Sequence, residues 1–342
     1  MPTRVSRSSA LAVGLIIVVA VVQLQASHYL TPTNIRVIAI QLVSLGIGAL
    51  GSAFVVASGN IDISIGSMFS LCGVVAAMAA AAGAPWPLAL LMGPLMGAVL
   101  GGINGVMVHR LAVSPIVVTL GALTLYAGIV ILITRGRTVA GVPQEFRTVG
   151  RGQFFAIPVN VLIFIGLALL AFAFANRIDI GRRLLAVGSN ARAAASVGIP
   201  IRKFVIGVFV ANGMLVGLAS TLSASRFGTA APTAGIGYEL QVLTAVLLGG
   251  VLFTGGVAPI GGVLLAVFLI GTIRSGLIAI GFEVTWTNVV IGALLIGAVA
   301  LNQFSEERRE RAVTRSALAE ALEEEEEEAG VGDSSVPDSD RE

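Results

Sequence analysis

Residues 115–134 read PIVVTLGALTLYAGIVILIT, twenty positions without one charged side chain. A helix needs about 20 apolar residues to cross the hydrocarbon core of a bilayer. A strand of a membrane barrel would instead alternate apolar and polar positions over about ten residues. Neither this stretch nor LLIGAVAL at 294–301 alternates. The run therefore predicts a spanning helix, and similar runs occur along the chain at 11–25, 35–57, 67–82, 87–108, 157–175, 204–224, 240–253, 261–281 and 285–301. The expected fold is all-α: a polytopic integral membrane protein of about ten transmembrane helices, some of them short or broken.

Charge supports the same reading. Only 12% of the 342 residues are charged, about half the share of a soluble domain. Up to Phe304 the acids are Asp62, Glu145, Asp179, Glu239 and Glu283, too few to clothe a water-soluble surface. Lipid is the main solvent for residues 1–304. That region carries +11, whereas 305–342 carries −9. Arginine in the loops is what membrane orientation predicts, and it gives no support for nucleic acid binding. Cys72 is the only cysteine, so no intrachain disulfide can form. Residues 10–26 follow Arg4 and Arg7 in the manner of a signal peptide. They lack a clear small-residue cleavage site, so we read them as a retained first helix.

Basic loops set the orientation. The N-terminal Arg4 and Arg7, and the segment 176–203 with Arg177, Arg182, Arg183, Arg192, Arg202 and Lys203, are expected on the cytoplasmic side, together with the tail. One loop resists the scheme, because Arg135, Arg137, Arg147 and Arg151 would then face outward. The 42 glycines include groups within spans (Gly46, Gly48 and Gly51; Gly101, Gly102 and Gly105), where small residues let helices approach closely. The clusters Gly249–Gly250, Gly255–Gly256 and Gly261–Gly262 are too dense for one straight helix and predict a break or re-entrant turn. No clear internal repeat is visible. The expected domains are 1–304, the membrane region, and 305–342, a charged cytoplasmic tail. The tail begins as a helix-forming run of opposite charges (306–328) and ends disordered from Ala329.

Several chemistries are excluded. Lys203, the only lysine, precedes Phe204, so a phosphate-binding loop with Lys followed by Ser or Thr is absent. His28 and His109 are far apart and have no acidic or cysteine neighbour at metal spacing, which argues against a zinc site or a histidine catalytic pair. No Gly-x-Ser-x-Gly elbow occurs. No catalytic residue, metal ligand or cofactor of this chain's own is expected.

The remaining polar residues have two readings each. In ASGNIDISIGS at 57–67, Gly59 would close one helix and Asn60 or Asp62 would cap the next; alternatively Asn60, Asp62 and Ser64 line a path or gate. Glu239, in GIGYELQ, opens a helix, where the macrodipole favours an acid. Arg274, in LIGTIRSGL, is costly near mid-helix and should face a cavity, an acidic partner such as Glu239 or Asp62, or the interface. Asn104, Thr119, Asn212, Gln241 and Thr244 would bond neighbouring helices or contact a polar solute. In the 28-residue segment 176–203, Asn190 can cap a short Ala-rich helix that Gly198 ends and Pro200 follows. Such a helix suits docking into a groove on another protein.

From this loop outward the sequence resembles the permeases of ribose-type ABC importers. The matching stretches are GRRLLAVGSNARAAASVGI (181–199), SGNIDISIGS (58–67), GGINGVMVHRLAVSPIVVTLGALTLYAGI (101–129), GIGYELQVLTAVLLGGVLFTGG (235–256) and VFLIGTIRSGLIAIG (267–281). They occur in family order over most of 55–302. The resemblance implies a membrane subunit that passes a sugar by alternating access. Its ATP and Mg would be bound by separate cytoplasmic ATPases. A second permease subunit and an extracytoplasmic binding protein would complete the complex in the cytoplasmic membrane. It implies an ATPase-docking role for Gly188, Asn190, Ala193, Ala194, Ala195 and Gly198. The path or gate would draw on Asn60, Asp62, Ser64, Asn104, Thr119, Glu239, Gln241 and Arg274. Two departures are visible: Gln241 stands where the family usually has Asp after Glu-Leu, and the acidic tail is an addition. The alternatives are a permease for branched-chain amino acids or nucleosides with the same architecture, and an ion-coupled secondary carrier, which would need no docking loop.

Overall fold

The computed structural model describes residues 3–111, 113–300 and 303. Helices dominate. In chain order they are α1 (Thr3–Gln25), α2 (Pro32–Ala57), α3 (Ile65–Ala81), α4 (Trp86–Arg110), α5 (Pro115–Thr134), α6 (Gln144–Arg151), α7 (Val159–Asn176), α8 (Asp179–Ser189), α9 (Ala191–Ser196), α10 (Ile201–Phe227), α11 (Tyr238–Leu248) and α12 (Ile260–Ala279). A final helix, α13, covers Thr285–Ala300. The two-residue strands β1 (Gln153–Phe154) and β2 (Ile157–Pro158) form a small antiparallel hairpin. The expected tail, 305–342, lies outside the described residues.

Among the described residues seven helices are long and apolar enough to span a bilayer: α1 from Ser8, α2, α4, α5, α7, α10 and α12. The apolar helices α3, α11 and α13 are shorter. Each of these three corresponds to one of the ten apolar runs. Large apolar side chains such as Ile16, Leu95, Leu125, Leu132 and Leu169 point outward from the bundle. That surface suits lipid and not water.

Residues up to Ala298 make one compact unit. Its centre is α2 and α10, both heavily buried, with α3, α4, α11 and α12 against them. The α4–α10 contact depends on glycine. A Cβ at Gly97 would run into the Gly213 carbonyl, and one at Gly101 into the Phe209 carbonyl. The two backbones touch with no side chain between them, which is how helices associate where lipid offers no hydrophobic drive.

The two arginine-bearing loops sit at opposite ends of α10, about 40 Å apart for a 27-residue helix. At its C-terminal end, α6 is held by Ser225 Oγ, which accepts from Gly150 N (2.9 Å), and by the Arg226 carbonyl, which accepts from Arg151 Nε (2.7 Å). At the other end α8 and α9 fill the 176–203 segment and touch α10. The outer loop is thus a built element and not a plain connection. Phe146 and Gly150, one turn apart, are its buried face.

Candidate functional site

Three polar regions stand out along the axis of the bundle. The first is a cavity of about 490 Å³ between α2, α3, α10, α11 and α12, in the half nearer α6. Its polar lining includes Gln41, Ser70, Ser220, Gln241, Arg226 and Arg274. Tyr238 forms part of its wall. The Tyr238 hydroxyl donates to the Ser44 carbonyl (2.7 Å), and its ring packs on Phe69 at 4.5 Å between centroids. The start of α3 and the chain leading into α11 meet here, where Gly235 N donates to Ser70 Oγ (2.8 Å). Both helices start inside the protein, which is why they are short.

Arg274 lies in the last two turns of α12 and lines this cavity. Neither acid considered for it is its partner. Asp62 is bonded elsewhere, and Glu239 Oε2 is buried against Gly66 without a hydrogen-bond donor. Gln241 lines the same cavity one turn into α11, whereas Glu239 does not line it.

The second region is a buried hydrogen-bonded cluster on the 58–64 connection. Gly59 (φ +79°) turns the chain after α2, and Asn60 Nδ2 folds back onto the Ser58 carbonyl (3.1 Å). Asp62, 2% exposed, accepts through Oδ1 from Ser64 N (3.1 Å) and Ser64 Oγ (2.6 Å), and through Oδ2 from Asn212 Nδ2 (3.2 Å). Asn104 Nδ2 donates to Ser64 Oγ (2.8 Å), and Tyr126 OH donates to Asn104 Oδ1 (2.8 Å). Ser52 Oγ donates to Asn212 Oδ1 (3.3 Å). Thr119 Oγ1 bonds its own helix at the Pro115 carbonyl (2.9 Å) and approaches the Ile61 carbonyl (3.4 Å). Asp62 caps a turn at Ser64, ahead of α3. The cluster ties the irregular segment to α2, α4, α5 and α10, and its members do not line the cavity. Irregular backbone is tolerated at membrane depth only where protein supplies such bonds.

The third region is the α8–α9 pair. Arg182 bonds Asp179 in the first turn of α8, and this contact holds the Asp179 carboxyl below the usual carboxylate range. Asn190 caps α9, accepting from Ala193 N (3.0 Å), and Gly198 (φ +82°) follows it in the left-handed region. Gly188 packs against the Ala57 carbonyl and Gly256 N, which are themselves bonded (2.8 Å). Gly255 and Gly256, both with positive φ, form the turn between α11 and α12 that the glycine clusters predict. The end of α8 therefore rests on two turns at once. Of the three alanines, Ala193 and Ala195 are exposed, but Ala194 is buried in this chain (5%) and seats α9. A partner would reach Ala193, Ala195 and Val197, the last 74% exposed.

A multi-span helical bundle with a polar cavity in one half and a helical pair exposed at the other end is an arrangement that a membrane permease can use. Comparison with known proteins agrees on the class. The chain belongs to the family described as branched-chain amino acid transport system / permease component, whose profile matches residues 34–299. It is 33% identical over 291 residues to the D-allose transport system permease protein of Escherichia coli, covering 84% of this chain and 89% of that protein. It is 33% identical to the ribose import permease protein of Bacillus subtilis, over 85% of this chain and 91% of that one. It is 31% identical to the L-arabinose ABC transporter permease protein of Azospirillum brasilense, over 89% and 90%. No solved structure matches. The chain is thus the permease subunit of an ABC importer, multi-pass in the cytoplasmic membrane.

Proposed function

We propose that this subunit passes a sugar across the cytoplasmic membrane, with ATP hydrolysed by separate ATPases that dock on α8 and α9. A second permease subunit and an extracytoplasmic binding protein complete the transporter. The observation that carries the reading is the seat of α8: Gly188 touches both the turn that ends α2 and the turn that joins α11 to α12. Force applied to the docked pair is delivered to two elements that also reach the cavity. The similarity to allose, ribose and arabinose permeases supports a sugar as the solute. The membrane domain (residues 1–304), the docking segment 176–203 and the tail then have separate roles.

The test is co-purification of the ATPase with the permease and ATP-driven uptake in reconstituted vesicles. Ala193→Glu and Val197→Glu place a charge on the exposed face of the pair, where a closely packed partner would have to bury it unpaired at a cost of several kcal/mol. The ATPase is expected to dissociate and uptake to fall at least tenfold, while the chain still inserts. If both variants retain the ATPase and full uptake, the docking assignment is wrong.

A further inference from the structure

We propose that the solute this permease selects is a polyhydroxylated acid, an aldonate or uronate bearing one carboxylate, recognised in the cavity by Arg274 and Arg226. The inference rests on the reading of that cavity as the path.

The charges around the cavity are unbalanced. Arg226 and Arg274 both line it, and no Asp or Glu does. Among the described residues neither arginine has an ion pair. Arg226 stacks on Phe227 (5.1 Å to the ring centroid), which leaves its guanidinium donors free of a carboxylate. Both sit toward the C-terminal ends of their helices, Arg226 half-buried in the last turn of α10 and Arg274 exposed in the last two turns of α12, and both side chains line the chamber. Two uncompensated guanidiniums in one water-accessible chamber invite an anion, and guanidinium geometry matches a carboxylate bidentately. The neutral amides Gln41 and Gln241 in the same lining suit the hydroxyls of the same molecule.

Two further observations point the same way. The residues of α11 that line the chamber, Tyr238 and Gln241, are both neutral, while Glu239, between them in sequence, places its carboxylate oxygen beside Gly66 and outside the lining. The acid nearest the chamber in sequence is therefore kept from balancing either arginine. A second cavity of about 550 Å³ adjoins the first, sharing Ile40, Arg226 and Phe227, and it adds Arg36 and Arg151 with no acid in its lining. The arginines that resist the orientation rule thus include one, Arg151, at the approach to the chamber. A positive funnel of this kind concentrates anions and speeds their entry.

The experiment uses the complete transporter in vesicles, with its binding protein and ATPase, and three matched probe pairs: D-gluconate and D-glucose, D-galacturonate and D-galactose, D-xylonate and D-xylose. At least one acid is expected to be taken up at ten or more times the rate of its neutral counterpart. Arg274→Gln should cut that uptake at least tenfold, Arg274→Lys, which keeps the charge but loses the bidentate fork, should fall between that variant and wild type, and Gln241→Glu, which adds a carboxylate, should cut it at least fivefold. Uptake of a neutral sugar over its acid overturns the proposal, as does full acid uptake by Arg274→Gln. Loss of binding-protein association in that variant would assign the arginine to docking and also overturn it. If no probe is transported while the ATPase still co-purifies, the substrate class is wrong and the importer reading stands. If the wild-type chain fails to bind an ATPase at all, it is the importer reading that fails.

Discussion

Asn212→Leu should destabilise the folded chain by about 2–3.5 kcal/mol. Asn212 is fully buried on α10 and makes two hydrogen bonds, donating to Asp62 Oδ2 at 3.2 Å and accepting from Ser52 Oγ at 3.3 Å. Leucine has similar length and can make neither. A bond to a carboxylate contributes about 1.5–3 kcal/mol, and an interhelical bond between neutral side chains in lipid averages about 0.6. The first term dominates, because removing the amide leaves an acid oxygen buried without a donor. Reversible unfolding of the purified chain in mixed micelles, followed by helical circular dichroism, measures the loss. The Ser52→Ala variant separates the terms: alone it should cost about 0.6 kcal/mol, and on top of Asn212→Leu nothing. A loss below about 1 kcal/mol for Asn212→Leu, or full additivity of the two variants, would refute the claim that this amide holds the 58–64 segment in place.

Gly97→Leu should prevent the α4–α10 contact and abolish monodisperse folded protein on size exclusion, because its side chain meets the Gly213 backbone; Gly121→Leu, which meets open space, should behave as wild type. Tyr238→Phe removes the bond to the Ser44 carbonyl and should cost about 0.5–1.5 kcal/mol in the same unfolding assay, while uptake stays within threefold. Truncation after Arg315 should leave uptake within about twofold, a change of well under 1.4 kcal/mol, since the family match ends at residue 299 and the run Glu323–Glu328 repels itself in water.

The apolar runs were legible because a bilayer demands length and imposes no periodicity, so ten stretches could be read by counting. The break at 249–259 was legible too, since paired glycines announce positive φ, which Gly250, Gly255 and Gly256 adopt in a turn between α11 and α12. The cap at Asn190 and the terminator at Gly198 follow from local chemistry alone. What stayed hidden was direction. Nothing in ARAAAS says that Ala194 faces inward and Ala193 outward, because three consecutive alanines carry no hydrophobic contrast. Arg274 was recognisable as misplaced, but the choice between cavity, acid and interface depends on neighbours from α2, α10 and α11. Helix α8 was partly readable: Gly181, Leu184 and Val187 recur at helical spacing and are its buried face. The outer helix α6 carried the same signal in Phe146 and Gly150, masked by the polar residues around them.

The two helices that start inside the bundle, α3 and α11, bear on how the cavity wall is tied to the α8–α9 pair. Each leaves N–H groups at its first turn without intrahelical acceptors, and each first turn carries a partial positive charge. Both ends converge on Glu239, which sits in the first turn of α11 and directs Oε2 at Gly66 in the first turn of α3. Its Oε2 meets no hydrogen-bond donor there, so the contact with α3 is close packing against Gly66, which has no side chain in the way, and Glu239 stays outside the cavity lining. From Tyr238 at the cavity wall, α11 runs as an 11-residue rod, about 16 Å long, and the irregular 249–254 segment joins its end to the glycine turn on which Gly188 rests. A rod this short has no room to absorb a displacement by bending. Movement of α8 against the 255–256 turn reaches Tyr238 and Gln241, where the wall of the chamber is made, only through the irregular 249–254 segment and the glycine contact that seats α8.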